Sequence, residues 1–306
     1  MYQPVILLNT ERNSLAKNQI LENYGFIDCY YFFHIFAATD WYRSYRYSKF
    51  ITPINDRKIK KKFITFNRLT GGARTYRSIF VGELVLNDLL DHGYVSYSDT
   101  CEEHGHFATN LDLVKRLYKL DSDYIRLIHS TLDTLTDANK FPLRIDHINK
   151  PTIPNGSQTL SAVHECMESF LHVVTETCFW ETKEHLTEKI FKPIVAKQPF
   201  ALLGCANNLK YLKDYGFRTF DQWWDESYDA IEDPVKRIQA VVKIIKDICN
   251  KSNSELEDML KDMQSVLDYN YNWFYSREFV DTAWYELEIN LRAAIAQQLP
   301  QISQGT

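Results

Sequence analysis

Apolar runs of strand length alternate with helix-like segments along most of the chain. Pro4–Asn9, Phe63–Asn67 and the run that starts at Val173 each contain consecutive apolar residues and are followed by polar ones. Short runs of this kind are typical of buried parallel strands. Because helix-like patterns lie between them, the sequence predicts an α/β fold.

Val173–Gly204 is the clearest unit of this kind. It begins as an apolar run, passes through residues rich in acid and threonine, and enters a helix-like segment at Thr187-Glu188-Lys189. After Pro193 the chain returns to an apolar run that ends at Gly204. Polar groups that follow a strand and open a helix occupy the place where open α/β sheets bind phosphorylated ligands. We therefore predict a nucleotide site in this stretch.

Phe63–Gly93 predicts a second strand, loop and helix unit. Its loop contains Gly71-Gly72, and Gly93 stands where the glycine C-cap of the helix is expected. Tyr30–Phe36 is another apolar run of strand length, and Phe217–Phe220 predicts a short strand.

The C-terminal part of the chain predicts helices. Asp233 is expected to be an N-cap with Pro234 in the first helical position, and Ser254 with Glu257 fits a capping box. The last helix carries an apolar stripe that we expect to pack on the core. The members of this stripe are Val280, Trp284, Leu287, Leu291 and Ile295.

Length and composition indicate a globular protein of two domains. The chain has 306 residues, which suits two domains of about 150 residues each. Phe141–Leu160 is rich in proline, so we place the boundary there, between domains 1–155 and 156–306. The N-terminus lacks a signal-peptide pattern and no stretch is apolar enough to span a membrane, which predicts a cytoplasmic location.

Charge and cysteine usage narrow the classes of function. The net charge of −5 disfavours a dedicated nucleic-acid binder, although Arg57–Lys62 is a local basic run. The six cysteines are dispersed without a CxxC spacing, which favours reduced thiols over disulfides or zinc. His104 and His106 have no third ligand in view, so we predict no metal site.

Polar residues near the predicted strand ends could carry chemistry. Glu11 follows the first strand, where it could be a general base or only a surface acid. Arg77 follows the glycine loop, and its planar fork suits phosphate oxygens, although an arginine at such a place is more often a surface residue of an amphipathic helix. Lys189 could neutralise a pyrophosphate, while Glu176 or Glu188 could accept hydrogen bonds from ribose hydroxyls.

Several blocks resemble the α-1,3-fucosyltransferase family of glycosyltransferases. Thr175–Gly204, with the pattern E-T…T-E-K-I-F-K-P…Q-P-F…L-G, resembles the donor-binding motif of that family. Arg77–Leu84 is similar to its R-x-x-F-x-x-x-L helix, Asn9–Ser14 to its early E-S-P-S element, and Tyr269–Trp273 to its final Y…W. The wording T-E-K-I-F-K-P…G-F-R-T-F…D-E-S-Y-D looks most like sugar transferases of tailed phages.

The resemblance implies a GT-B fold, in which two Rossmann-like domains face each other across a cleft. It implies inverting transfer of a sugar from a nucleoside diphosphate sugar to a hydroxyl, without a required metal or other cofactor. Lys189 and Arg77 would hold the diphosphate, and Glu176 and Glu188 would orient hydroxyls. The donor-binding residues expected on this basis are Asn67, Arg68, Arg77, Glu176, Thr187, Glu188 and Lys189.

The same resemblance suggests the base and the acceptor. Glu11 would deprotonate the acceptor, with Asp40 and His34 as further candidate bases. The acceptor could be a hydroxylated base in phage DNA inside the host cytoplasm, contacted by Arg57–Lys62 and the aromatic stretch Trp41–Tyr47. The alternatives are a glycan or small saccharide as acceptor, or a non-catalytic sugar-binding protein that has kept the fold.

Overall fold

Strands and helices alternate along the chain, and the fold is mixed α/β. A computed structural model of the chain describes residues 4–47, 49–138, 140–141, 143, 145, 160 and 162–303. Among these residues the strands are β1 (Ile6–Asn9), β2 (Ile27–Tyr30), β3 (Lys61–Asn67), β4 (Gly93–Tyr97), β5 (Thr100–Cys101), β6 (Gly105–His106), β7 (Ser169–Thr175) and β8 (Phe200–Leu203). The helices are α1 (Leu15–Tyr24), α2 (Phe33–Tyr42), α3 (Tyr76–Leu86), α4 (Phe107–Leu117), α5 (Ser122–Asp137), α6 (Val163–Met167), α7 (Phe191–Val195), α8 (Asn208–Asp214), α9 (Pro234–Cys249), α10 (Asn253–Asp262), α11 (Gln264–Phe274) and α12 (Arg277–Ser303).

A four-stranded parallel sheet carries the main core. Its strands lie in the order β4-β3-β7-β8, and Thr65 of β3 is in register with Val173 of β7. All seven residues of β7 are buried, as expected for a central strand covered on both faces. The strand order reverses between β3 and β7. In open parallel sheets, ligands bind outside the carboxyl ends of the strands at such a reversal.

The predicted domains 1–155 and 156–306 share this sheet. Strands β3 and β4 come from the first and β7 and β8 from the second, and β3 pairs directly with β7. The predicted boundary itself lies outside the described residues, as does most of the proline-rich stretch. The boundary does not separate two sheets. The sequence could not indicate this, since a run of apolar residues predicts a strand without saying which strand it pairs with.

A second, two-stranded parallel sheet consists of β1 and β2. The C-terminal helix α12 returns to pack against β2, where Ala294 is buried with Ile27 and Cys29. The Asn290 side chain donates a 2.9 Å hydrogen bond to the Tyr30 carbonyl. The last helix therefore joins the N-terminal part of the chain to the rest.

The apolar stripe predicted for α12 is not the main face that the helix buries, so this prediction is wrong. Trp284 is 57% exposed and Ile295 is 41% exposed. The helix instead buries Phe279, Ala283 and Ala294. Of the predicted stripe, Leu287 packs beside Ala294, whereas Trp284, Leu291 and Ile295 stay largely exposed. Periodicity alone could not choose between these two neighbouring faces.

Two strand predictions are also wrong. Within Tyr30–Phe36 only Tyr30 belongs to a strand, and Phe33 begins α2. A continuous apolar run fits a buried helix as well as a strand. Phe217–Phe220 forms no strand, although the Phe220 ring packs at 5.1 Å from that of Phe200. Its apolar character reflects burial without strand pairing.

One of the three predicted helix ends is confirmed, and the other two are wrong. Asp233 caps α9 through hydrogen bonds from the backbone N–H groups of Val235 and Lys236, as predicted. The capping box of α10 uses Ser252 and Glu255, two residues before the predicted pair. Gly93 opens β4 and does not cap α3. A Cβ on Gly93 would lie 2.4 Å from the Phe63 ring, so strand packing explains the glycine.

The described helices include none that is both long enough and apolar enough to cross a membrane.

Candidate functional site

Two loops from distant parts of the chain meet where β7 ends. The loop that follows β1 pairs with the loop that follows β7 through reciprocal backbone hydrogen bonds of 3.1 and 2.9 Å between Arg12 and Glu184. Asn13 donates a 2.8 Å side-chain hydrogen bond to Glu184, and His185 Nδ1 lies 3.2 Å from the Thr10 carbonyl oxygen. The polar residues of Val173–Gly204 thus face the N-terminal unit.

Glu176 organises the loop after β7 from a fully buried position. Its carboxylate accepts hydrogen bonds from the Thr187 N–H at 3.1 Å and the Thr187 hydroxyl at 2.5 Å. It also accepts one from the Thr177 N–H at 3.2 Å. These bonds close the loop on itself. The carboxylate is occupied by the protein, so this geometry does not support the predicted contact with a ligand hydroxyl.

Lys189 lies over the closed loop and is partly open to solvent. Its Nζ contacts the hydroxyls of Thr177 and Thr187 at 3.1 and 3.0 Å, and Glu188 Oε1 at 3.2 Å. Its side chain is 27% exposed. The Thr187 hydroxyl keeps its hydrogen bond to Glu176 when the ammonium moves away, so Lys189 can exchange its hydroxyl partners for phosphate oxygens. Of the residues predicted to bind the sugar donor, Lys189 therefore has the geometry that best fits an anion.

His34 and Glu188 form an ionisable pair beside Lys189. His34 Nδ1 lies 3.6 Å from Glu188 Oε2 and is buried without a hydrogen-bond partner among the described residues. Burial lowers the pKa of His34 below its ordinary value, and the Glu188 carboxylate offsets only part of this effect. Burial opposes ionisation of Glu188, but the Lys189 ammonium outweighs it and lowers the Glu188 pKa.

Glu11 lies across the same cluster in an ion pair that the sequence did not reveal. Its carboxylate accepts a 2.9 Å hydrogen bond from Lys183 Nζ, which also lies 2.7 Å from Glu181. Partial burial raises the pKa of Glu11, but the hydrogen bond and charge of Lys183 outweigh it and leave the pKa lowered. Glu11 is thus a weak base that is already paired.

Arg77 has a structural role that differs from the predicted one. Its guanidinium is 3% exposed. It donates to the carbonyl oxygens of Leu69 at 2.9 Å, Thr175 at 2.7 Å and Glu176 at 3.2 Å. These bonds join the loop after β3 to the end of β7. Most of the donors that would bind a phosphate are therefore used by the backbone.

The other two residues predicted near β3 differ in accessibility. Asn67 is fully buried, donates to Thr65 Oγ1 at 3.2 Å, and has an amide oxygen without a partner among the described residues. Arg68 is exposed. The nearby glycine loop is covered, because a Cβ on Gly71 would lie 2.2 Å from the His104 side chain. This packing explains the glycine without a bound phosphate.

Asp40 lies outside the cluster. It is on the exposed side of α2 and forms a 3.2 Å surface ion pair with Arg43 one turn later. A base must come within hydrogen-bond reach of the proton that it removes. Of the three predicted bases, Glu11 and His34 are the ones that the fold brings to the polar cluster.

Sequence reasoning missed two members of the cluster, Lys183 and His185. Both are buried. In the N-terminal loop, Lys183 contacts Glu11 and His185 contacts the Thr10 carbonyl. The His185 ring also packs at 5.7 Å against the ring of His34. Both residues stand inside Val173–Gly204. Charged residues predicted in a loop between two buried strands could have singled them out.

The basic run Arg57–Lys62 is largely neutralised by its neighbours. Arg57 is buried against the carbonyl oxygens of Lys197 and Ala196 at 2.8 and 2.7 Å. Lys58 pairs with Glu257, and Lys60 pairs with Glu168. The Nζ groups of Lys61 and Lys62 also donate to protein oxygens. This run is therefore a poor candidate for a DNA backbone contact.

The described residues of the cluster do not form a metal centre. Across the described residues, no group of three or more His, Cys, Asp or Glu side chains could hold a metal ion. Two cavities lie elsewhere in the part of the chain that is described, of about 260 and about 320 Å³, and both are lined by residues of α9.

Comparison of the chain with protein-family models, curated proteins and solved structures gives no match. The resemblance to fucosyltransferases stays a prediction from the sequence.

Proposed function

We propose that the chain is an inverting glycosyltransferase, with its site at the cluster formed by Glu11, His34, Glu188 and Lys189. The sugar donor is a nucleoside diphosphate sugar. The oxygen of an acceptor hydroxyl attacks the anomeric carbon, the bond from that carbon to the diphosphate breaks, and the nucleoside diphosphate leaves. The proton of the hydroxyl passes to a base of the protein.

One observation carries this proposal. Residues from three distant parts of the sequence meet in the cluster: the partly exposed Lys189 ammonium lies beside the Glu188–His34 pair, and His185 packs on His34 and reaches the loop that carries Glu11. They meet where β7 ends, beside the reversal of strand order between β3 and β7. This is where parallel sheets bind phosphorylated ligands, and clustered ionisable groups of this kind favour catalysis.

Lys189 is the diphosphate ligand in this proposal. Its ammonium exchanges the hydroxyls of Thr177 and Thr187 for phosphate oxygens and stabilises the negative charge that develops on the leaving group. Arg77 supports this indirectly, because it fixes the backbone of Glu176, from which the loop begins.

His34 is the base that the geometry favours over Glu11. Its lowered pKa leaves the imidazole uncharged near pH 7. If Nδ1 carries the proton toward Glu188, Nε2 is free to accept one from the acceptor hydroxyl. Glu11 is a weaker base, since its carboxylate already accepts a hydrogen bond from Lys183.

The two sheets form the two sides of a reduced GT-B arrangement in this proposal. The sheet of β1 and β2 supplies the acceptor side and the four-stranded sheet supplies the donor side. A saccharide is the favoured acceptor. A hydroxylated DNA base is less favoured, because the lysines of Arg57–Lys62 already have partners.

A transfer assay with Lys189→Ala tests the proposal. The protein is incubated with GDP-, UDP- and dTDP-sugars and a panel of saccharides and hydroxymethylated DNA, and release of nucleoside diphosphate is measured. We expect wild-type activity with at least one donor and a loss of about 100-fold in Lys189→Ala. Lys210→Ala is the matched control, because Lys210 makes an exposed ion pair with Asp214. Absence of donor turnover, or full activity in Lys189→Ala, would contradict the proposal.

The dependence of the rate on pH tests which residue is the base. A histidine base must be unprotonated, so the rate should fall as the pH drops through the His34 pKa, which lies below its ordinary value. A rate that holds until the pH reaches the range of a carboxylate would assign the base to Glu11. His34→Gln should abolish the histidine limb, whereas Asp40→Asn should keep the wild-type profile.

A further inference from the structure

The outer edge of β1 has no partner strand in the described part of the chain. The carbonyls of Val5 and Asn9 accept 2.9 Å hydrogen bonds from backbone N–H groups on the β2 side. Because successive residues of a strand point these groups in opposite directions, those of Ile6 and Leu8 point away from β2. Neither residue has a backbone partner on that side among the described residues. An unpaired edge of this kind is a template for another strand.

This free edge is short and symmetric. Pro4 has no N–H group, and its carbonyl already accepts a 2.7 Å hydrogen bond from α12. At the other end, the Thr10 carbonyl lies 3.2 Å from a histidine of the loop after β7. The residues with both backbone groups free are Ile6 and Leu8, which stand on either side of Leu7. A strand that pairs here therefore meets a ladder centred on Leu7.

The side of α12 that faces β1 is apolar and exposed. Leu287 and Ile6 pack on the same small cluster between the helix and the sheet, and Gln298 donates to the backbone just before β1. Leu291 and Ile295 lie on this side of the helix, because residues four apart share a face. Their side chains are 38% and 41% exposed. A strand added to β1 would lie beside them and reduce this exposure.

The free edge is complementary to itself. A two-fold axis through Leu7, perpendicular to the sheet, places Ile6 of one copy opposite Leu8 of the other, and the reverse. In an antiparallel pair, residues placed in this way exchange both of their backbone hydrogen bonds. Residues 4–10 carry no charged side chain, so no like charges of this strand meet across the axis. Edge strands that stay single are commonly protected by such charges.

A second copy fits this edge better than an unrelated peptide. The ladder is short, and a few backbone hydrogen bonds contribute little unless apolar surface is buried with them. A second copy brings its own α12 to the same face of the sheet, because the axis is perpendicular to the sheet. Leu291 and Ile295 of the two copies would then face each other above the paired strands. Burial of this apolar surface favours association.

We propose that two copies of the chain form a symmetric dimer through antiparallel pairing of their β1 strands about Leu7. The two small sheets become one continuous sheet, and the two α12 helices cover it on one face. A two-stranded sheet is marginal by itself, so the dimer stabilises the N-terminal unit. The pairing uses none of the residues assigned to sugar transfer, and its test is independent of that function.

Sedimentation equilibrium measures this association. We expect the wild type to have the mass of two chains and to dissociate on dilution. Leu8→Pro removes an N–H that points to the free edge, so the pairing with β2 is kept and the pairing between copies is disrupted. Leu8→Lys, a second variant in case the first does not fold, places a charge on the edge. Each should raise the dissociation constant about tenfold or more.

Leu117→Lys is the matched control for both variants. Leu117 lies on α4 and is 64% exposed, as against 56% for Leu8, and its variant should dimerise as the wild type does. Circular dichroism checks that each variant is folded. The proposal is overturned if the wild type stays a single chain up to about 0.1 mM, which would leave the edge to a strand of another protein. It is equally overturned if both Leu8 variants dimerise normally, or if Leu117→Lys dissociates the dimer as they do.

Leu7→Cys tests the position of the axis. The two copies of this residue would form a non-hydrogen-bonded pair with Cα atoms about 4.5 Å apart, which is within the range of a disulfide. We expect oxidised glutathione to link this variant into a covalent dimer. Linkage should be faster than in the wild type, with its own six cysteines, or in Leu15→Cys, whose leucine is 73% exposed on α1. Equal rates in Leu7→Cys and Leu15→Cys would overturn the pairing about Leu7.

Discussion

Arg77 and Lys189 are two cations that the sequence places at the same edge of the sheet, and the fold uses them differently. Arg77 is buried and donates to three backbone carbonyl oxygens. Lys189 is partly exposed and contacts two threonine hydroxyls and one carboxylate. A cation held by carbonyls stabilises the fold. A cation that is partly exposed and held by side-chain oxygens can turn to an incoming anion.

The largest expected effect is on stability, from Arg77→Met. The variant removes the Arg77 donor from the carbonyl oxygens of Leu69 and Thr175, whereas the Glu176 carbonyl keeps the Tyr76 hydroxyl. We expect a loss of roughly 2–3 kcal/mol in the free energy of unfolding, since each buried unsatisfied group costs about 1 kcal/mol or more. Urea denaturation measures this change.

Arg74→Met is the matched control for Arg77. It changes the same kind of side chain near the same glycine loop, at a half-buried residue whose side chain makes no hydrogen bond to the described residues. It should change stability by less than about 0.5 kcal/mol. If the two variants unfold at the same urea concentration, Arg77 does not have the structural role described above.

A smaller effect is expected from Glu176→Gln, which keeps the size of the side chain that closes the loop. The amide can accept only through one atom, whereas the carboxylate accepts from the Thr187 N–H and hydroxyl and from the Thr177 N–H. We expect a loss of about 1–2 kcal/mol and faster amide hydrogen exchange in residues 177–187. Unchanged exchange in this loop would show that Glu176 does not hold it closed.

The smallest effect on stability is expected from Lys189→Ala. The Thr187 hydroxyl keeps its hydrogen bond to Glu176, and the half-buried Thr177 can turn to water, so the free energy of unfolding should change by less than about 1 kcal/mol. Thermal unfolding without ligand measures this. A loss as large as that of Arg77→Met would mean that both cations stabilise the fold, and the different role described for Lys189 would be wrong.

The sequence indicated where the polar cluster lies better than it indicated what each residue does. The run that starts at Val173 predicted the last three residues of β7, and Thr187-Glu188-Lys189 predicted the turn that begins the next helical segment. Local patterns determine such elements. The partners of Arg77 are carbonyl oxygens of other segments, and residue type does not reveal them.

Pairings across the chain were the part that the sequence could not supply. Lys183 reaches Glu11, and the loop after β1 pairs with Glu184. The pairing of β3 with β7 likewise joins parts of the chain that were predicted to lie in different domains. Each of these contacts depends on how strands are ordered in space, which the alternation of apolar and polar residues does not encode.

Calorimetric titration with nucleoside diphosphates tests the central claim most directly. GDP, UDP and dTDP are titrated into the wild type, Lys189→Ala and Lys210→Ala. The account predicts that at least one nucleotide binds the wild type and Lys210→Ala equally, and that Lys189→Ala weakens it by about tenfold or more, as loss of a charge-assisted contact requires. Binding that is absent from the wild type, or unchanged in Lys189→Ala, would contradict it.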